Sequence, residues 1–284
     1  MLVKSTTLII ASLSLLGTAS LAQTHSVPRP AYCSFNEQTL TWHIGNELIE
    51  RTIIFDKATG ALRTQVLKSG SGMPTFTSVG SSEGEITVRN SANQRTKLTL
   101  DHDWTYAWQT VATPAHMGRA LTIHLTGVKS NSGYEVEANY EILPNKKPFF
   151  IRSLTLINRN EKTVTIEECL YDRWSFSTNS VPEKKVKDRF QARPRSARYI
   201  DGPAGVGTLV DDGLSVGGTF AVEGGFGEIL MENSSVVTRW KGRLDAKASN
   251  GRAFLPETVV FTFRGVSALG VDLIGRYRSG IAKK

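Results

Sequence analysis

Two cysteines in 284 residues are too few for a disulfide scaffold, so the fold must rest on a hydrophobic core. Beyond residue 22 no apolar run is long enough to cross a bilayer as a helix, which excludes a helical membrane span there. No segment recurs at a fixed period, which argues against a propeller. Helical spacing of apolar residues is missing until the last element of the chain, which removes βαβ architectures. Acidic residues are in deficit, 26 against 34 lysines and arginines. No cluster of side chains calls for a metal ion and no cofactor motif is present, so neither is expected.

What is there begins with "MLVKSTTLIIASLSLLGTASLA". Lys4, an apolar stretch from Leu8 to Leu16, and the small residues Ser20 and Ala22 form a signal peptide over residues 1–22, with cleavage expected after Ala22. Residues 23–284 are then one exported domain, secreted or periplasmic, with no linker of Pro, Gly and Ser to divide it. Removing Lys4 lowers the formal charge from +8 to +7. Such a basic balance serves solubility, or attraction to an acidic glycan or envelope surface.

From Leu40 onward the chain alternates with period two. Leu40, Trp42 and Ile44 alternate with Thr41 and His43, Gly45-Asn46 turns the chain, and Ile49, Ile53 and Phe55 line the returning strand. "DKATG" turns it again into "ALRTQVL". Further strands are predicted at "GEITVRN", "RTKLTLDHDW", "RALTIHLTGV", "YEVEANYEIL", "FFIRSLTLIN", "TVTIEECLYDRWSF", "GVGTLV", "LSVGGTFAVE", "EILMEN", "VVTRW" and "ETVVFTFRG", separated by "NSGY", "PNKKP", "NRNE", "DDG" and "GGFG". The expected fold is all-β, a large antiparallel two-sheet supersandwich. One C-terminal helix is expected, capped by Ser267, with Val266, Leu269, Leu273, Tyr277 and Ile281 on one face.

In "TVTIEECLYDRW", strict alternation puts Val164, Ile166, Leu170 and Trp174 on one face and Cys169 on the other, with Glu167 and Tyr171. An N-terminal segment crossing that outer face would bring Cys33 to Cys169. Such a bridge would contribute about 4–5 kcal/mol by loop entropy. Two buried free thiols are the alternative.

Three stretches, "LTWHIGNELIERTIIFDKATGALRTQVL", "YEVEANYEILPNKKPFFIRSLTLINRNEKTVTIEECL" and "ETVVFTFRGVSALGVDLIGRYR", together resemble the N-terminal β-supersandwich domain of family 36 glycoside hydrolases, the α-galactosidase group. That domain is similar in fold to galactose mutarotase. None of the three stretches is a catalytic signature, so the resemblance implies fold rather than function. In those hydrolases the sandwich leads through a strand and a helix into a (β/α)8 barrel with a catalytic aspartate pair. Here "TVVFTFRG" and the terminal helix resemble that exit, and the catalytic aspartates have no counterpart. Mutarotase-like epimerases use a His and Glu pair for proton transfer. None of the histidines, at 25, 43, 102, 116 and 124, stands in the "NHxYFNL" context of that family, and His43 and His124 read as polar-face strand residues.

Two regions are candidates for ligand binding. In "DHDWTYAWQT", Trp104, Tyr106 and Trp108 at alternate positions put three rings on one side of a strand, as a platform for sugar rings or as the inner face of the sandwich. From Glu183 to Arg198, seven basic residues (Lys184, Lys185, Lys187, Arg189, Arg193, Arg195, Arg198) stand against Glu183 and Asp188, a local charge of +5. That long Pro-punctuated segment is a solvated loop or a fork of arginines for carboxylates and sulfates. By the resemblance, Asp172, Arg173 and Trp174 stand at the root of this loop, towards the sugar-handling end of the sandwich. Among carboxylates, Asp101 and Asp103 could flank a cation, although a solvated strand end is the ordinary explanation.

The expected function is a secreted, non-catalytic carbohydrate-binding or glycosidase-accessory β-sandwich, with no catalytic residues assigned. A stand-alone carbohydrate-active enzyme on an acidic or α-linked glycan, and a structural envelope protein, are the alternatives. The expected partners are carbohydrate, including acidic glycan, a separate catalytic subunit, and a second copy in a homodimer. Nucleic acid is not expected, for lack of a binding fold and because of export.

Overall fold

The computed structural model describes residues 30–69, 75–77, 81–114, 117–144, 149–175, 195–197, 204–211, 214–219, 225–232, 235–256 and 258–263. Among these residues the chain forms nineteen strands and one 3-10 turn, Lys129–Asn131, with no α-helix. The all-β expectation holds. The expected terminal helix and signal peptide lie outside the described residues, and no described helix is long and apolar enough to cross a membrane.

Among the described residues three hydrogen-bonded sheets, rather than the expected two, build the sandwich. The first is a five-stranded meander in chain order, β1 (Tyr32–Asn36), β2 (Thr41–Gly45), β3 (Ile49–Asp56), β4 (Ala61–Ser69) and β5 (Thr75–Thr77). The second comprises β6 (Glu85–Arg89), β7 (Arg95–Thr99), β12 (Val164–Ser175), β16 (Gly225–Glu232) and β17 (Ser235–Ala246), in the order β16-β17-β12-β6-β7. The third contains β8 (Trp104–Ala112), β9 (Arg119–Gly127), β10 (Tyr134–Ile142), β11 (Phe149–Asn158), β13 (Arg195–Ala197), β14 (Ala204–Asp211), β15 (Leu214–Thr219) and β19 (Thr258–Phe263). Its order is β13-β14-β15-β19-β11-β10-β9-β8, and β18 (Gly251–Phe254) adds to β11 as the ninth strand. Of these strands, β1, β5, β13 and β18 were not anticipated from the sequence; β13 falls within the segment expected to be a loop.

Alternation decides which side chains meet. Leu121, Ile123 and Leu125 of β9, Val136, Ala138 and Tyr140 of β10, and Phe150, Leu154 and Leu156 of β11 point inward and are buried. They join Trp42, Ile44 and Ile53 of the first sheet and Ile86, Val88, Ile166 and Trp240 of the second in one apolar cluster. Burying side chains of this size contributes about 1.5–3 kcal/mol each before the entropy cost of ordering them.

The turns work through side chains. The first hairpin does not use positive φ at Gly45 or Asn46; instead Asn46 Oδ1 accepts from the Leu48 and Ile49 amides at 2.8 and 3.1 Å, and its amide donates to the Leu143 carbonyl at 3.1 Å. At the next turn Asp56 accepts from the Ala58 amide and the Thr59 hydroxyl, and Gly60 adopts φ 70°. Asn158, wholly buried at the end of β11, donates to the carbonyls of Lys162, Ala246 and Lys247, which ties the β11–β12 turn to the end of β17.

Candidate functional site

The outward face of the nine-stranded sheet carries an ordered row of side chains. Strand register places Trp108 of β8 opposite His124 of β9, His124 opposite Glu137 of β10, Glu137 opposite Thr155 of β11, and Thr155 opposite Phe254 of β18. Residues paired across a sheet share a face, so all five point to the same side. The Trp108 indole stacks on the His124 imidazole, with centroids 4.5 Å apart and planes 16° apart. His124 Nε2 lies 3.1 Å from Glu135 Oε2, and its Nδ1 lies 3.6 Å from Glu137 Oε1.

Both carboxylates have a second partner. Arg159 donates to Glu135 through Nε at 2.8 Å and Nη2 at 2.7 Å, and Arg252 donates to Glu137 Oε2. The hydrogen bond from Arg159 holds the Glu135 carboxyl below its usual range; partial burial opposes this, and the Arg159 charge and His124 add to it. Beside the row, Thr122 donates to Asn139 Oδ1 at 2.8 Å. The polar floor is thus prearranged, and Trp108, stacked on His124, stays partly open to solvent. Trp108 is 41% exposed and Phe254 is 68% exposed at the two ends of the row.

This geometry corrects the expected row of three rings. A β-bulge between Tyr106 and Trp108 adds a residue to β8, so the strand's phase changes. Trp104 is buried, with its indole N–H on the Thr99 carbonyl at 2.6 Å. Tyr106 packs on the core beside Phe35, Trp42 and Phe55, at 6.4, 5.7 and 6.3 Å between ring centroids. Only Trp108 of the three turns to the outer face. Phe254, Glu135, Glu137 and Arg252 are not among the sequence candidates; the alternating Glu135, Glu137 and Asn139 on β10 signalled the two glutamates, and β18 gave no such signal.

Asp172 is likewise corrected. It was placed by resemblance at the surface root of a loop, yet it lies in a fully buried charge cluster with Arg51, Glu83 and Arg152. Arg51 Nη2 donates to both Glu83 oxygens at 2.9 and 2.8 Å and to Asp172 Oδ1 at 2.5 Å. Arg152 reaches Glu83 and Asp172 at 3.3 Å each and donates to the Glu83 carbonyl. Tyr140 donates to Glu83 at 2.5 Å, and both guanidinium groups sit over its ring at 4.9 and 4.4 Å. Burial by itself pushes the Glu83 carboxyl up, but the two arginines, Thr64 and Tyr140 outweigh it and hold the group below its usual range. Two cations and two anions cancel in this cluster, which ties all three sheets together; it is structural. Its signal was an arginine on the apolar phase of a strand, Arg51 with Ile49 and Ile53, and Arg152 with Phe150 and Leu154.

The remaining candidates scatter. Arg173 bridges Ser82 through the backbone. Arg195 lies in β13, Trp174 in β12, and nothing is described of their side chains; Arg189, Arg193 and Arg198 lie outside the described residues. Cys33 and Cys169 are both free. A bulge between Ile166 and Glu168 turns Cys169 to the core face opposite Trp240, so the expected outer-face bridge has no geometry to form. Burial raises the Cys33 thiol to about 11, with Arg119 opposing. Asp103 takes a hydrogen bond from Ser130 at 2.7 Å and lies 3.4 Å from Lys129, which leaves it an ordinary turn carboxylate. Among the described residues no group of three or more His, Cys, Asp and Glu is placed to hold a metal ion.

Fold and site together define an antiparallel β-sandwich with a polar-aromatic sheet face. No family model and no curated protein matches the sequence. Solved structures do match in fold. The GH36 α-galactosidase AgaB from Geobacillus stearothermophilus superposes with a TM-score of 0.54 at 12% identity, over 82% of this chain and 41% of that one. An α-galactosidase from Lactobacillus brevis gives 0.52 at 10% identity, over 81% and 40%. AgaA from Geobacillus stearothermophilus, in a complex with raffinose, gives 0.52 at 11% identity, over 79% and 40%. This chain therefore has the β-supersandwich fold of the GH36 α-galactosidases and spans about two-fifths of their length.

Proposed function

We propose that this protein is a carbohydrate-binding β-sandwich, exported through its signal peptide, which handles sugar without hydrolysing it. The observation that carries this reading is the partly exposed Trp108 ring, stacked on His124, which itself lies beside two hydrogen-bonded carboxylates. An indole face matches the apolar face of a pyranose, and Glu135, Glu137 and Asn139 supply acceptors and donors beside it. The shared fold with α-galactosidases, one of them solved with raffinose, suggests an α-galactosyl sugar as the first ligand to try.

Titration calorimetry of the purified protein with raffinose tests this. Binding that falls on Trp108→Ala, with the fold intact by circular dichroism, supports the reading. Absence of binding to raffinose and to a wider panel of neutral and acidic oligosaccharides overturns it.

His124 favours a second reading, since an imidazole between two carboxylates is a grouping suited to proton transfer. Conversion of the sugar during the titration, followed by NMR and lost in His124→Gln, would replace the binding reading with an enzymatic one.

A further inference from the structure

We infer that the outward sheet face takes an extended neutral oligosaccharide laid across the strands, from Trp108 on β8 to Phe254 on β18. This deepens the carbohydrate reading and rests on it. The row Trp108, His124, Glu137, Thr155, Phe254 crosses five adjacent strands in register. Four strand steps of about 4.8 Å separate its ends by roughly 19 Å, the span of about four linked pyranoses rather than one. The three middle residues are buried among their neighbours, whereas both aromatic ends stand clear of them. The row is thus a low polar floor with a raised ring at each end. Short sugars reach one ring; only a longer chain reaches both.

Charge selects the ligand class. Glu135 is neutralised by Arg159, and Glu137 by Arg252, whose guanidinium carbon also sits 5.7 Å from the Phe254 ring centre. Each arginine is already bonded to a carboxylate, so the two pairs leave the row without a net positive charge to favour a sulfate or uronate. Hydroxyl-rich neutral chains meet the exposed guanidinium groups of Arg159 and Arg252, already fixed in place by their carboxylates.

The test is calorimetry with galactose, raffinose and stachyose on the full protein, on Trp108→Ala and on Phe254→Ala. Both substitutions are at exposed positions, and thermal melts check that they leave the fold in place. Affinity rising about tenfold or more from galactose to stachyose, with Phe254→Ala weakening stachyose about fivefold but galactose not at all, is the expected result. Binding should change little between low and moderate salt. Equal affinity for all three sugars, with Phe254→Ala silent and Trp108→Ala damaging, overturns the extended site while leaving the carbohydrate reading standing. Tighter, salt-sensitive binding of an oligogalacturonate overturns the neutral class. No binding of any sugar overturns both readings.

Discussion

The indole of Trp108 lies flat against the imidazole of His124, 4.5 Å between centroids, and the register of β8 on β9 places them side by side. The contact exists only because a bulge carries Trp108 onto the face opposite Trp104 and Tyr106. It converts a mobile surface ring into a fixed one, which lowers the ordering cost of stacking a ligand on it.

Replacing Trp108 by alanine should therefore separate binding from stability. Oligosaccharide affinity should fall about tenfold, the size of one lost stacking contact, while the unfolding midpoint in urea moves little. A large stability loss with unchanged affinity would assign the ring to packing instead.

Glu83→Gln should be severe. It leaves the two buried cations, Arg51 and Arg152, to share the one remaining anion of the cluster, Asp172, at a cost of about 3–5 kcal/mol read from chemical denaturation. Adding Arg152→Met should cost less than the two single changes summed, because both remove the same interaction.

The same cluster bounds the stable pH range from both sides. The Glu83 carboxyl is held below its usual 4.5, so its contribution is complete above that value and is lost as pH falls through the depressed folded value. Burial, with Glu83 beside it, pushes the Tyr140 phenol well above its ordinary 10.0 against the pull of Arg152, so that contribution is complete below 10.0 and is lost as pH rises beyond it. Thermal melts across pH should show a plateau between, and Tyr140→Phe should flatten the alkaline limb.

The thiols give a direct check on the core. Cys169 should resist a thiol reagent until the protein unfolds, and Cys33, with its thiol raised to about 11, should react slowly at neutral pH. Both should titrate in denaturant without reductant; a disulfide would leave neither.

Gly60→Ala should unseat the β3–β4 turn. Gly60 adopts φ 70°, and a methyl group there would run into the backbone of Trp104. A loss of about 2 kcal/mol or more is expected from strain alone, and shifted Trp fluorescence would report the displaced neighbour.

Much of the scaffold was legible in the sequence because period-two alternation states which residues seek burial. "RALTIHLTGV" and "YEVEANYEIL" became strands as anticipated, and "DKATG" became a turn through Asp56 and Gly60. Each correction has one physical source. Alternation assigns faces only while the count is unbroken, and the bulges in β8 and β12 each break it by one residue. They sent Trp108 outward and Cys169 inward, against the pattern. Partners from distant strands were equally invisible: Arg51, Glu83, Arg152 and Asp172 are spread over some 120 residues and meet only when the sheets close. The sequence by itself determined the strand-rich chemistry and the apolar faces, since these depend on local spacing. Which polar and aromatic groups stand together was decided by tertiary structure alone, through register, bulges and the pairing of strands far apart in the chain.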